Sequence, residues 1–63
     1  MILKNDYINI NVHIGGLYLI YDNNFYGAIG IIEDILDNSI MIKIKGFGVY
    51  NSIISEIDYI EMI

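Results

Sequence analysis

Tyr26-Gly27-Ala28-Ile29-Gly30-Ile31-Ile32-Glu33-Asp34-Ile35, followed by an acidic turn and the alternating run Ile40-Met41-Ile42-Lys43-Ile44-Lys45, is the stretch whose reading decides the fold. Two segments of β period joined by a polar turn form a hairpin, and glycines three residues apart in its first strand mark that strand as sharply bent. A bent hairpin of this kind predicts a small closed barrel.

Working outward, residues 7–12 (Tyr7-Ile8-Asn9-Ile10-Asn11-Val12) alternate apolar with polar and read as a first strand with one wet face, and Gly15-Gly16 breaks the pattern in a turn. Leu17 to Tyr21 is apolar on both faces, which suits a central strand or one whose outer face meets another subunit. Asp22-Asn23-Asn24 closes it as a turn. Strands are predicted over 25–35 and 39–45, a break at Gly46-Phe47-Gly48, and a short edge segment at Val49-Tyr50. Residues 51–56 read as one helical turn, capped by Asn51 or Ser52 through a short side-chain oxygen. A last strand runs from Ile57 to Ile63, with Ile57, Tyr59 and Glu61 on one face and Asp58, Ile60 and Met62 on the other. The expected architecture is all-β: one domain over 1–63, a barrel of five to six strands with a short helical turn before the last.

At 63 residues the chain sits near the size at which folding alone becomes marginal, since a ~60-residue domain buries only about 60% of its unfolded surface. It has no cysteine, so neither a disulfide framework nor a thiolate metal site is available, and the cytoplasm is the expected compartment. No apolar run approaches the ~20 residues of a spanning helix, and the first residues, Met1 to Asp6, lack the charged and apolar regions of an export signal. Apolar residues make up 56% of the chain, above the ~45–50% usual for globular proteins. A barrel this small cannot hide them all, so apolar patches are expected on its outside, and such patches mark partner or self-association sites. Seventeen isoleucines and seven asparagines fit an AT-rich genome such as that of a low-GC bacterium or its phage, a codon bias that says nothing of function.

The net charge of −5 comes from eight carboxylates against three lysines and no arginine. Nucleic-acid binding draws most of its affinity from cations on phosphate, so the balance favours protein partners, and basic protein surfaces among them.

Catalytic constellations are scarce. His13 is the sole imidazole and reads as a solvent or turn histidine. Ser39, Ser52 and Ser55 have no other base in the chain to activate them; Ser52 and Ser55 read as caps of the helical turn. The cluster Glu33, Asp34, Asp37 and Asn38 lacks the alternating spacing and internal glycine of a calcium loop and reads as a solvated turn. No metal and no cofactor is expected.

The spacing Gly27-x-x-Gly30-x-Ile32-x-x-Ile35, a polar turn and the strand Ile40 to Ile44 resemble the KOW motif of small Src-homology-3-like (SH3-like) barrels. Ile53-Ile54-Ser55-Glu56-Ile57-Asp58-Tyr59-Ile60, a helical turn running into a closing strand, is similar to the way such barrels end, so the likeness covers residues 16–63. Gly27, Ile29, Glu33 and Asn38 more loosely resemble the first motif of Sm-like barrels, with one extra residue before the asparagine. The arginine-glycine pair of the second Sm motif is absent, Lys45-Gly46-Phe47-Gly48 standing in its place, which counts against Sm-type RNA binding even where the architecture is shared. KOW-type modules bind RNA or protein, so the resemblance implies a binding module.

Among the aromatic residues, Tyr26, Phe47 and Tyr50 stand at strand ends beside turns, where barrels display ligand-contacting groups, and Tyr18 and Tyr21 complete the expected partner-binding set. The expectation is a non-enzymatic protein-interaction module, a homo-oligomer that acts by occupying a larger protein, an accessory inhibitor of a phage or mobile element being one concrete form. The alternative is a nucleic-acid-binding barrel, which requires Lys4, Lys43 and Lys45 to converge beside exposed tyrosines.

Overall fold

A computed structural model describes residues 3–63; Met1 and Ile2, part of the stretch read for an export signal, lie outside the described residues. The chain forms α1 (Lys4–Asn11), β1 (Leu17–Asp22), β2 (Tyr26–Ile35), β3 (Ser39–Ile44), β4 (Gly48–Ile53), a 3-10 turn (Ile54–Glu56) and β5 (Ile57–Met62). The strands make one antiparallel sheet in the order β4-β3-β2-β1-β5. β1 is therefore paired on both sides, as its two apolar faces suggest.

The first strand expected at residues 7–12 is instead the C-terminal part of a helix. Its alternating apolar positions include an i, i+4 pair, Ile8 and Val12, and these two are buried while Ile10 between them is 65% exposed. All three of Ile8, Ile10 and Val12 satisfy the strand period and two of them the helical one, and packing against the core selects the helix.

The bend predicted in β2 has a visible cause. Its N-terminal half pairs with β1 through Tyr26–Ile31 and its C-terminal half with β3 through Gly30–Ile35, so the strand turns from one neighbour to the other at Gly30. The Ile42 side chain lies across Gly30 where a Cβ would stand, with Ile44 Cδ1 3.1 Å from the same point. Gly27, at φ +77°, is the extra residue of a bulge between Ile20↔Ala28 and Tyr21↔Tyr26, and Glu33 is the extra residue of a second.

The curled sheet wraps a core of Ile8, Val12, Tyr18, Ile20, Ile32, Ile40, Ile42, Ile44, Ile54, Ile57 and Ile60. It does not close into the barrel expected from the sequence: β4 and β5 end the sheet and pair with β3 and β1 alone. Ile54 of the 3-10 turn and Ile8 of α1 are buried in the same core, and the two elements pack together. β4, expected as two residues, has six, because Asn51 to Ile53 continue the strand and the helical turn starts only at Ile54. In β5 the alternation is broken: Asp58 is skipped between Tyr21↔Tyr59 and Asp22↔Ile57, so Ile57 and Ile60 both face the core.

Candidate functional site

The turn after β1 is built on a buried carboxylate. Asp22 Oδ1 accepts the backbone N–H groups of Asn24 (2.8 Å) and Phe25 (2.9 Å), which forms the predicted turn. Its Oδ2 accepts the Tyr50 hydroxyl and the Ser52 hydroxyl, each at 2.7 Å, and the Tyr50 oxygen in turn accepts Asn24 Nδ2 at 2.8 Å. Ser52 is thus no helix cap; the 3-10 turn has no side-chain cap, and the serine points into the core to meet Asp22.

Burial by itself pushes the Asp22 carboxyl up, but the hydrogen bonds from Ser52, Tyr50 and the backbone of Asn24 and Phe25 outweigh it and hold the group below the ordinary carboxylate range. Tyr50 is pushed up, first by burial and then by its bond to and proximity to the Asp22 charge, against the opposing bond from Asn24. An acid held ionised is a weak proton acceptor, and a phenol pushed up is a weak nucleophile. The group's visible work is to tie the β1–β2 turn to β4.

That tie positions one aromatic cluster. Phe25 stacks edge-on against Tyr50 (4.8 Å between ring centroids) and Phe47 (5.3 Å), and Phe47, in the turn between β3 and β4, remains 64% exposed. Tyr50 is half-buried with its hydroxyl fully engaged.

A second cluster crosses the outer face. The bulges at Gly27 and Asp58 bring Tyr26, Tyr21 and Tyr59 into one cross-strand row over β2, β1 and β5, with Tyr21 5.0 Å from Tyr26 and 5.7 Å from Tyr59. Tyr26 is 94% exposed. Beside this row runs Ile29–Leu19–Glu61, and beside that Val49–Lys43–Ile31–Leu17. The last row, with Lys45 and Phe47, borders an open apolar groove of about 670 Å³.

Of the partner-binding residues read from the sequence, the structure sets Tyr21 and Tyr26 together and Phe47 and Tyr50 together, in two separate clusters. Tyr18 joins neither: it is buried, its oxygen accepting the His13 backbone N–H at 3.0 Å and its hydroxyl lying 3.3 Å from the Asn11 carbonyl it serves. Sequence reasoning left Tyr59 out of the chosen set and expected apolar patches on the outside without placing them, because the alignment of these rows depends on bulges that shift register without a motif. Asp22 was legible only as a turn residue. Lys43 and Lys45 lie together at the groove, whereas Lys4 is elsewhere, donating to the Ser55 carbonyl at 3.2 Å. Among the described residues no three His, Asp or Glu side chains gather where they could hold a metal ion, and no helix is long and apolar enough to cross a membrane. No family model, curated protein or solved structure matches the chain.

Proposed function

We propose that the chain is a non-enzymatic protein-interaction module that acts by covering a surface of a larger protein, an accessory inhibitor being one concrete form. The observation that carries this reading is the outer face of the sheet: Ile29 and Leu19 in one row with Glu61, Val49, Ile31 and Leu17 in the next with Lys43, and a row of three tyrosines beside them, on a domain of 4159 Å² total surface. Monomeric proteins rarely leave such faces bare. An interface of standard size takes ~800 Å² from each partner, about a fifth of this surface. The exposed tyrosines suit the role, since their rings contribute large contact area with few rotamers to fix.

The fold reading that accompanies this proposal is an open relative of the SH3-like modules. Five antiparallel strands with a 3-10 turn before the last support it, as does the glycine spacing of β2. Nucleic-acid binding is the second reading, favoured by Lys43 and Lys45 lining one groove with Phe47. With Lys4 elsewhere and a net charge of −5, it has two cations to work with.

The test is affinity capture from native lysate with the wild type, Ile31→Glu and the pair Lys43→Glu, Lys45→Glu, each with and without nuclease. A protein retained by the wild type, insensitive to nuclease and lost with Ile31→Glu is expected. Retention of RNA that the lysine variants abolish would favour the second reading, and equal retention by all three chains would remove the first.

A further inference from the structure

The two ends of the sheet are guarded differently. β5 carries two carboxylates, Asp58 and Glu61, and a bulge at Asp58, devices that keep another strand from adding to an edge. β4, Gly48-Val49-Tyr50-Asn51-Ser52-Ile53, has no charge and no proline, and its register against β3 is unbroken from Ser39↔Ile53 to Ile44↔Gly48. Natural edges of this length and regular register are ordinarily blunted or covered.

Which backbone groups are free on β4 follows from one bond. The Ile54 N–H donates to the Asn38 carbonyl at 2.8 Å, in the same register as the β3–β4 ladder. Hydrogen-bonded and non-bonded pairs alternate along an antiparallel ladder, so Ser52, Tyr50 and Gly48 also bond to β3. Val49, Asn51 and Ile53 therefore aim their N–H and C=O groups outward from the sheet.

We propose that β4 pairs antiparallel with β4 of a second copy, joining the two sheets edge to edge about a two-fold axis at Asn51. In this register Asn51 faces Asn51 of the partner subunit as a hydrogen-bonded pair. Val49, 56% exposed, lies opposite Ile53 of the partner subunit, and Ile53, 41% exposed, opposite the partner's Val49. The contact is self-complementary, as a two-fold interface requires. Every outward peptide group on the strand finds a partner, and the exposed apolar side chains pair with each other.

Charge selects the antiparallel sense. The Gly48 end of β4 lies beside Lys43, which pairs with Val49, and Lys45. The Ile53 end lies beside Asp37, in the turn before β3, and Glu56, in the 3-10 turn, with Lys4 as the cation on that side. Antiparallel pairing sets the lysine end of one copy against the carboxylate end of the other at both ends of the contact. Parallel pairing would set like against like. Heterologous pairing of β4 with β5, which would build rings or filaments, meets the Asp58 bulge and Glu61. The self-pairing uses the sheet's edge and not its outer face, so it stands whether or not the partner-binding proposal does; it would place two outer faces on one body.

The test combines sedimentation with cross-linking, on chains whose folding is checked by circular dichroism. The wild type should sediment as a dimer at high micromolar concentration, and Asn51→Lys, which puts two ammonium groups face to face at an exposed position, should reduce it to monomer. Lys43→Glu with Lys45→Glu, and separately Asp37→Lys with Glu56→Lys, should each weaken the homodimer, while the two variants mixed should form a heterodimer. Because the chain has no cysteine, Asn51→Cys should be joined into a covalent dimer by a short bis-maleimide and Glu61→Cys should not, the Cα atoms of a hydrogen-bonded pair standing ~5.5 Å apart. A wild-type monomer, a dimer indifferent to Asn51→Lys and unlinked through Asn51→Cys, or a larger ring would each overturn the proposal.

Discussion

Asp22→Ala is the perturbation from which the structure's energetics can be read most directly. Removing the carboxylate leaves the Ser52 hydroxyl, which is fully buried, without an acceptor, whereas the half-buried Tyr50 hydroxyl and the turn N–H groups of Asn24 and Phe25 can recover water. A stranded buried hydroxyl costs ~1–3 kcal/mol and the loss of charge-assisted bonds adds to it, so ~3 kcal/mol is expected in all. A domain of 63 residues has roughly 3–9 kcal/mol of stability, so this single change removes a third or more of it. Ser52→Ala alone should cost ~1 kcal/mol, because Asp22 keeps its other three donors. The double variant should cost ~1–2 kcal/mol less than the sum, since the stranded hydroxyl is gone. Urea unfolding followed by circular dichroism measures all three. Additive costs, or Asp22→Ala below ~1 kcal/mol, would refute the assignment of Asp22 as the group that joins the β1–β2 turn to β4. The pH dependence carries the same signature. The folded-state value of Asp22 lies below the ordinary ~3.9 of an unfolded carboxyl, so its contribution is complete above that value and is lost as pH falls through the folded one. Unfolding free energy should therefore rise with pH across the acid window, and rise less steeply in Asp22→Asn.

Gly30→Ala should destabilise the fold by ~1–3 kcal/mol or more, because the new methyl meets Ile42 and Ile44 in a packed core; an unchanged urea midpoint would show that β2 does not bend there. Ile8→Ala should cost ~2–4 kcal/mol while Ile10→Ala stays within ~0.5 kcal/mol, and a comparable cost at both positions would return residues 7–12 to the extended conformation, in which the two share a face.

Much of the fold was legible because it is encoded locally. The bent hairpin announces itself through Gly27, Gly30 and the alternation of Ile40, Ile42 and Ile44, and the turn at Asp22 through side chains that bond their own backbone. Of the candidate site, Tyr26, Phe47 and Tyr50 could be chosen from their places beside turns, with Tyr21 and Tyr18 added from the strand before the Asp22 turn. Tyr18 could not be separated from them, because its two-sidedly apolar strand does not say which face turns inward, and Tyr59 reaches the others only through the Asp58 bulge.

Composition and local pattern by themselves determined that this chain makes a small antiparallel sheet and has more apolar surface than its interior can hold. Those properties depend on side-chain period, glycine freedom and chain length, which are readable one segment at a time. Only the tertiary structure decided that residues 7–12 are helical, that Ser52 serves Asp22 thirty residues away, and that β4 is left as an open, uncharged edge. Each of these is a choice between local alternatives of similar free energy, and contacts between distant segments are what tip it.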